Sequence, residues 1–218
     1  MRFLKATILF FLLISCSRSF AQYNTMREWY VGFSGGKTMS TISLVPKLVD
    51  KLFTMNNNGG ISIRYVSENH FGIQTEFNYY QSGWKEDLQG FGLTHSYLRR
   101  LDFVEMPFFM HAYTGSDIMR YFLNIGPKLG YLISENEKIV DNTKSFEQHG
   151  KLVENPFQYG IAAGIGLEAH FGRSVFGLEG RYCYNFSNIF DDAIGQYFNT
   201  SSIQTISLNL SYYFQLTK

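Results

Sequence analysis

The sequence predicts an all-β fold, an eight-stranded antiparallel transmembrane β-barrel with long extracellular loops and short periplasmic turns. The clearest observation is residues 157–171, where apolar side chains alternate with small or polar ones at every second position. Strand side chains point alternately to the two faces of a sheet, so this segment has one apolar and one polar face. Seven further segments alternate in the same way, and the connections between them alternate between long and short. This combination is typical of barrels that face lipid outside and enclose a polar lumen.

The strands are predicted in order from the alternation and from the turn residues that separate them. They cover residues 26–36, 59–67, 71–83, 96–113, 118–134, 157–171, 175–186 and 201–216. Long loops are expected at 37–58, 84–95, 135–156 and 187–200, and short turns at 68–70, 114–117 and 172–174. Within the first loop, Pro46 could begin a short helix over residues 46–53, although a surface loop is the simpler interpretation.

The fourth strand has the least regular alternation. If Leu101 and Phe103 face outward, Arg100 and Asp102 face the lumen, yet Glu105 is polar on the opposite phase. A β-bulge between Phe103 and Glu105 would reconcile the two halves, because one extra residue reverses the orientation of every later side chain. In the fifth strand, Pro127 predicts a bulge or an interrupted ladder, because proline has no backbone N–H to donate.

Residues 1–21 are predicted to be a signal peptide, followed by the barrel domain over residues 22–218. Arg2 and Lys5 precede the apolar run 8–14, and Ser19-Phe20-Ala21 forms a suitable cleavage site. Leu13-Ile14-Ser15-Cys16 also resembles a lipoprotein cleavage box, which leaves open a lipidated Cys16 as the first residue.

The charge balance of the mature chain argues against a nucleic-acid partner. Without residues 1–21 the chain keeps 16 basic and 18 acidic side chains, a net charge near minus two. Cys183 is then the only cysteine, so the mature chain cannot form an internal disulfide. An exported chain without disulfides needs another source of stability, which a closed sheet supplies.

The predicted lumen contains charged side chains of both signs. They are Arg64, Glu76, Glu105, Lys128, Glu168, Glu179 and Arg181. An eight-stranded barrel is just wide enough for its own side chains to fill it, so a structural network of buried salt bridges is expected. The alternative is a narrow porin-like channel for small solutes, which would need a continuous water path through this interior.

Two segments carry a resemblance to a known family. Val104-Glu105-Met106-Pro107 and Leu123-Asn124-Ile125-Gly126-Pro127 resemble motifs of the PorT-like outer-membrane β-barrel family of Bacteroidota. The resemblance implies a barrel in the cell outer membrane with both termini in the periplasm. Because the name-giving member is associated with type IX secretion, the resemblance also implies a link to protein secretion.

The sequence favours a structural or interaction role in the cell envelope over an enzyme. Glu168 and His170 share a face and Ser174 follows, a pattern that could serve a lipid-modifying enzyme, but no serine has an obvious nucleophile context. The histidines lack metal-ligand spacing, and no cofactor is expected. The expected partners are outer-membrane lipid and other envelope or secretion proteins, contacted through the loops or periplasmic turns.

Overall fold

The computed structural model describes residues 27–46, 50–87, 97–138, 149–191 and 199–217, so the predicted signal peptide and Cys16 lie outside the described residues. These residues form nine strands: β1 Glu28–Val45, β2 Asp50–Leu52, β3 Thr54–Glu68, β4 Phe71–Asp87, β5 Tyr97–Gly115, β6 Met119–Lys138, β7 Phe157–Phe171, β8 Ser174–Asn185 and β9 Thr200–Gln215. Within the described ranges, no helix is long and apolar enough to cross a membrane.

Eight of the strands close into a ring, which confirms the predicted fold class. Each pairs antiparallel with its neighbours in the order β1, β3, β4, β5, β6, β7, β8, β9 and back to β1. The short β2 pairs with β4 above the part of β4 that pairs with β3. Following paired residues around the wall from Tyr131 of β6 leads back to β6 at Tyr121, ten residues lower. Such a stagger accompanies strands that tilt by about 35–45° from the barrel axis.

The two ends of the barrel differ as predicted. Three tight turns join β3 to β4, β5 to β6 and β7 to β8 at one end, where Glu28 and Gln215 also lie. His70 and Gly172 adopt positive φ values of 76° and 64° in two of these turns, a conformation that suits tight reversals. Short turns mark the periplasmic end of outer-membrane barrels, so the opposite end is extracellular.

The strands extend beyond the predicted boundaries at the extracellular end. The regions predicted as loops at 37–58, 84–95 and 135–156 contain the ends of β1, β3, β4 and β6. Residues 50–52 are a strand, so the short helix considered after Pro46 is not present there. These boundaries were wrong because the wall continues past the membrane, where polar residues such as Lys37 and Asn57 join the outward face and the alternation is less clear.

The polarity of the interior reverses along the barrel axis. In the lower part, β7 buries Gln158, Gly164 and Glu168 inside and exposes Ile161 and Ile165 outside. At the extracellular end, the interior is instead an apolar cluster formed by Ile42, Leu44, Tyr80, Trp84, Tyr97, Leu101, Phe103, Ile189, Phe190 and Ile203. The outward face there includes polar, exposed residues such as Lys37 and Arg100, beside exposed apolar ones such as Met39 and Met55. This pattern indicates that water, and not lipid, surrounds the extracellular part of the wall.

This reversal corrects the prediction for the fourth strand, which is β5. Leu101, Phe103 and Glu105 all face inward on one unbroken phase, whereas Arg100 is exposed and Asp102 half-buried. The predicted bulge between Phe103 and Glu105 is therefore wrong, because apolar and polar residues share a phase at different heights. The observed irregularity lies in the pairing with β6, where Asp102 pairs with Ser134 and Phe103 with Leu132.

Two prolines interrupt the ladders on either side of β5. The β4–β5 pairing is missing between Thr75–Phe108 and Asn78–Glu105, next to Pro107. The β5–β6 pairing is missing between Pro107–Lys128 and Met110–Ile125, next to Pro127, as predicted for that proline. The cause is the missing N–H of each proline. Thr75 Oγ1 donates a hydrogen bond to the Pro107 carbonyl oxygen over 3.2 Å and compensates part of the loss.

Gly126 lies at this interruption and is expected to be intolerant of a side chain. A Cβ at this position would overlap the carbonyl oxygen of Phe108, a backbone atom that cannot rotate away. We expect Gly126→Ala to lower the free energy of unfolding by about 1–3 kcal/mol. Urea unfolding in detergent micelles measures the effect, and Gly180→Ala is the matched control because its Cβ meets nothing within 4 Å. Equal stability of the two variants would contradict the close approach.

Candidate functional site

The centre of the lumen is occupied by Arg181 held between two carboxylates. Its NH1 and NH2 atoms donate to the two oxygens of Glu76 over 2.8 Å each, a bidentate pair. Its Nε and NH2 atoms also donate to Glu179, over 3.0 and 2.8 Å. The guanidinium further lies 4.6 Å from the centroid of the Phe109 ring. The planar fork of arginine suits this arrangement, since it offers several donors in a fixed geometry.

A second ion pair lies closer to the periplasmic end and is joined to the first. Arg64 NH1 is 2.7 Å from Glu168 Oε1, and both side chains are buried. Arg64 Nε donates to Gln74 Oε1 over 2.7 Å, and Gln74 Nε2 donates to Glu76 Oε1 over 2.6 Å. The two pairs therefore form one hydrogen-bonded network. Networks of this kind specify one arrangement of the core, because each removed partner leaves a buried polar group behind.

The third ion pair joins the first sequence motif to Lys128, the residue that follows the second motif. Lys128 Nζ lies 2.6 Å from Glu105 Oε2, and the pair bridges β5 and β6 beside Pro107. Gly126 and Pro127 of the second motif lie at the interruption of the β5–β6 ladder, on the periplasmic side of this ion pair. All seven charged residues assigned to the lumen from sequence thus lie buried inside the barrel. Each of them is paired with a residue of opposite charge.

The space left inside this polar core is small. A cavity of about 10 Å³ is lined by residues that include Asn78, Glu105, Arg181 and Asn209. The Oδ1 atoms of Asn78 and Asn209 accept no hydrogen bond from any described residue. A polar cavity of this size fits about one water molecule.

The periplasmic end of the lumen is closed by aromatic and aliphatic side chains. Tyr30, Val66, Val175 and Tyr213 pack together there, with Tyr113 against them. Tyr213 also connects this layer to the charged network, because the Arg64 guanidinium lies 4.1 Å from the centroid of its ring.

The extracellular end is closed by a segment that folds back into the mouth. Ile189 and Phe190 follow β8 and are fully buried in the apolar cluster. Ile189 N–H donates to the Ser201 carbonyl over 3.1 Å, and its carbonyl accepts from Glu154 N–H over 3.0 Å. We call residues 186–191 the cap segment. Its neighbour Glu154 accepts a 2.6 Å hydrogen bond from the Asp191 N–H, which holds the pKa of that carboxyl below its ordinary value.

The family of the chain follows from a comparison with known protein families. The family described as "Outer membrane protein beta-barrel domain" matches residues 20–191, well over half of the chain. The chain belongs to this family. It is therefore an outer-membrane β-barrel protein of a bacterium, with lipid around its wall. No curated protein sequence matches it.

Solved structures of other outer-membrane barrels have the same fold as this chain. The outer membrane protein OprG from Pseudomonas aeruginosa is 10% identical, with a TM-score of 0.56 and a match covering 89% of this chain and 98% of OprG. The outer membrane protein AlkL, solved in DMPC lipid bilayers, is also 10% identical, with a TM-score of 0.50 and coverage of 92% and 95%. At such identities the likeness concerns the fold alone.

In this outer-membrane barrel, Ser174 does not lie beside the pair of Glu168 and His170 as a nucleophile would. His170 Nε2 lies 3.4 Å from Glu168 Oε2, so these two residues are brought together. Ser174 is on the opposite phase, and its hydroxyl is hydrogen-bonded to the Tyr212 hydroxyl over 3.1 Å. Among the described residues, no group of His, Cys, Asp and Glu side chains could hold a metal ion.

A polar cluster in the extracellular part of the barrel was not predicted from the sequence. Glu86 accepts a hydrogen bond from Trp84 Nε1 at 2.9 Å and lies 2.9 Å from His149 Nε2. His149 also stacks on Tyr97, with ring centroids 4.0 Å apart. The alternation Tyr80, Ser82, Trp84, Glu86 continues the inward phase of β4 into the region predicted as a loop, and this was the signal available in the sequence.

Proposed function

We propose that this outer-membrane barrel is closed to solutes and acts as a structural or interaction module at the cell surface. The observation that carries the proposal is the closure of the lumen at three levels. The aromatic layer at the periplasmic end, the salt-bridged centre and the cap segment follow one another along the axis. The central cavity has room for about one water molecule, far less than a conducting path needs.

Conductance across planar lipid bilayers tests this proposal against the narrow porin-like channel. We expect the refolded protein to produce no stable conductance steps, because the charged centre is filled and its charges are paired. A channel through this centre would instead conduct, and its conductance would change in Lys128→Met, which removes the partner of Glu105. A general porin recorded in the same bilayers is the positive control. Reproducible steps that respond to Lys128→Met would overturn the proposal.

The interaction role is supported by the length of the wall above the membrane. The extracellular end is a rigid platform in which strands and the cap segment share one apolar core. Rigid scaffolds present recognition surfaces on the segments at their ends. The partners proposed are other envelope proteins, and the resemblance to PorT-like barrels adds proteins of secretion as one class.

The same proposal assigns no enzymatic activity to the barrel. The placement of Ser174 on the outer face supports this, since its hydroxyl is directed to Tyr212 rather than to the pair of Glu168 and His170. Glu168 is moreover engaged by Arg64, which fits a structural role in the network.

A further inference from the structure

An apolar groove lies on the outer surface of the wall near the periplasmic end. It has a volume of about 440 Å³ and crosses β1, β3, β4 and β5. Its lining includes Trp29, Ile63, Tyr65, Thr75, Phe108 and Met110. The rings of Trp29 and Tyr65 lie 4.7 Å apart and form one side of it.

The groove lies directly below the interruption of the β4–β5 ladder, beside its last pair, Thr75 with Phe108. The β4–β5 ladder lacks its pairs next to Pro107, and the inward residues Gln74 and Phe109 also reach the groove. Thr75 is a small residue between Ile73 and Phe77, so it leaves a depression in the row of outward side chains. The Thr75 hydroxyl donates a hydrogen bond to the Pro107 carbonyl oxygen. The methyl group of Thr75 is therefore the part that lines the groove.

The position of the groove places it in the periplasmic leaflet of the membrane. Thr75 lies four residues above Phe71, where β4 leaves its short turn. At the rise and tilt of barrel strands this is about 10 Å above the periplasmic boundary, within the hydrocarbon of that leaflet. Trp29 and Tyr65 are paired near the periplasmic end of β1, a height at which amphipathic aromatic rings meet the lipid headgroups.

We propose that this groove binds one acyl chain of a phospholipid of the periplasmic leaflet. The groove is continuous with the lipid-covered wall, so hydrocarbon is the phase that faces it. Arg27, two residues before Trp29, is exposed at the boundary and supplies a positive charge for the lipid phosphate. A site that combines an apolar groove with a basic residue close by in the chain is expected to retain one lipid longer than the smooth wall does.

The two tryptophans of the chain allow a direct test, because Trp29 lines the groove and Trp84 is buried in the extracellular cluster. In a Trp84→Phe background, phosphatidylethanolamine with brominated acyl chains is titrated into the protein in detergent micelles. We expect quenching of Trp29 to saturate at one lipid per protein. Thr75→Phe fills the groove and is expected to weaken this binding by about tenfold. Arg27→Gln is expected to weaken it by a smaller factor.

The matched control for the quenching of Trp29 is an Ile165→Trp variant of a chain without Trp29 and Trp84. Ile165 faces lipid on β7, which lies four strands from β3 in either direction around the ring. We expect the quenching of this reporter to rise gradually without saturation at one lipid. If Thr75→Phe fails to fold, Ile63→Phe fills the groove from β3. Identical titrations for Trp29 and for the Ile165→Trp reporter, or a Trp29 titration unchanged by filling the groove, would overturn the proposal.

Discussion

Replacing Arg181 with methionine is expected to lower the free energy of unfolding by about 3–5 kcal/mol. Arg181 donates four hydrogen bonds of 2.8–3.0 Å to Glu76 and Glu179. Without it, two buried carboxylates face each other with no cation between them. The measurement is urea unfolding in detergent micelles. The folded fraction at each urea concentration is read from the difference in gel mobility between boiled and unboiled samples.

Two controls separate the loss of the ion pairs from the loss of a long side chain. Lys37→Met removes an exposed cation whose Nζ lies 2.6 Å from Asn57 Oδ1, and its effect is expected to stay within about 0.5 kcal/mol. Arg181→Met combined with Glu76→Gln and Glu179→Gln is expected to recover most of the lost stability, since no uncompensated charge is left. If the triple variant were as unstable as Arg181→Met alone, packing rather than charge would explain the effect.

The membrane-embedded part of this barrel could be predicted from the sequence because lipid imposes one rule on it. A charged side chain that alternates with apolar residues has only the lumen to face. This is why Glu168 and Arg181, assigned to the lumen from alternation alone, lie inside. The partners of each charge could not be predicted in the same way, because they depend on the register between strands that are distant in sequence. Arg181 and Glu76, for example, are separated by 105 positions.

The extracellular part obeys a different rule, and the orientations predicted there from the sequence were wrong. Above the membrane the outside is water, so apolar residues such as Trp84 and Leu101 move to the interior without any change of strand phase. Alternation shows that a strand is present but not which solvent surrounds it. The cap segment is harder still to predict, because Phe190 follows no alternation and reaches its site only when the chain folds back.

The reversal of polarity makes opposite predictions for two adjacent residues, Leu101 and Arg100. Leu101 is fully buried in the apolar cluster. Leu101→Asn is expected to destabilise the extracellular part by about 3–5 kcal/mol, because it removes packing and buries an amide without a partner. Trp84 belongs to the same cluster, so its fluorescence during urea unfolding in a Trp29→Phe background reports this region directly.

Arg100→Leu provides the discriminating comparison on the same strand. Arg100 is exposed above the membrane, and its replacement is expected to change stability by no more than about 0.5 kcal/mol. Had Leu101 faced lipid and Arg100 the lumen, the two substitutions would exchange their effects. Arg100→Leu would then remove a lumen charge, whereas a polar residue at Leu101 would meet only lipid near the headgroups. A stable Leu101→Asn variant with a destabilised Arg100→Leu variant would therefore show that the polarity of the wall does not reverse at this height.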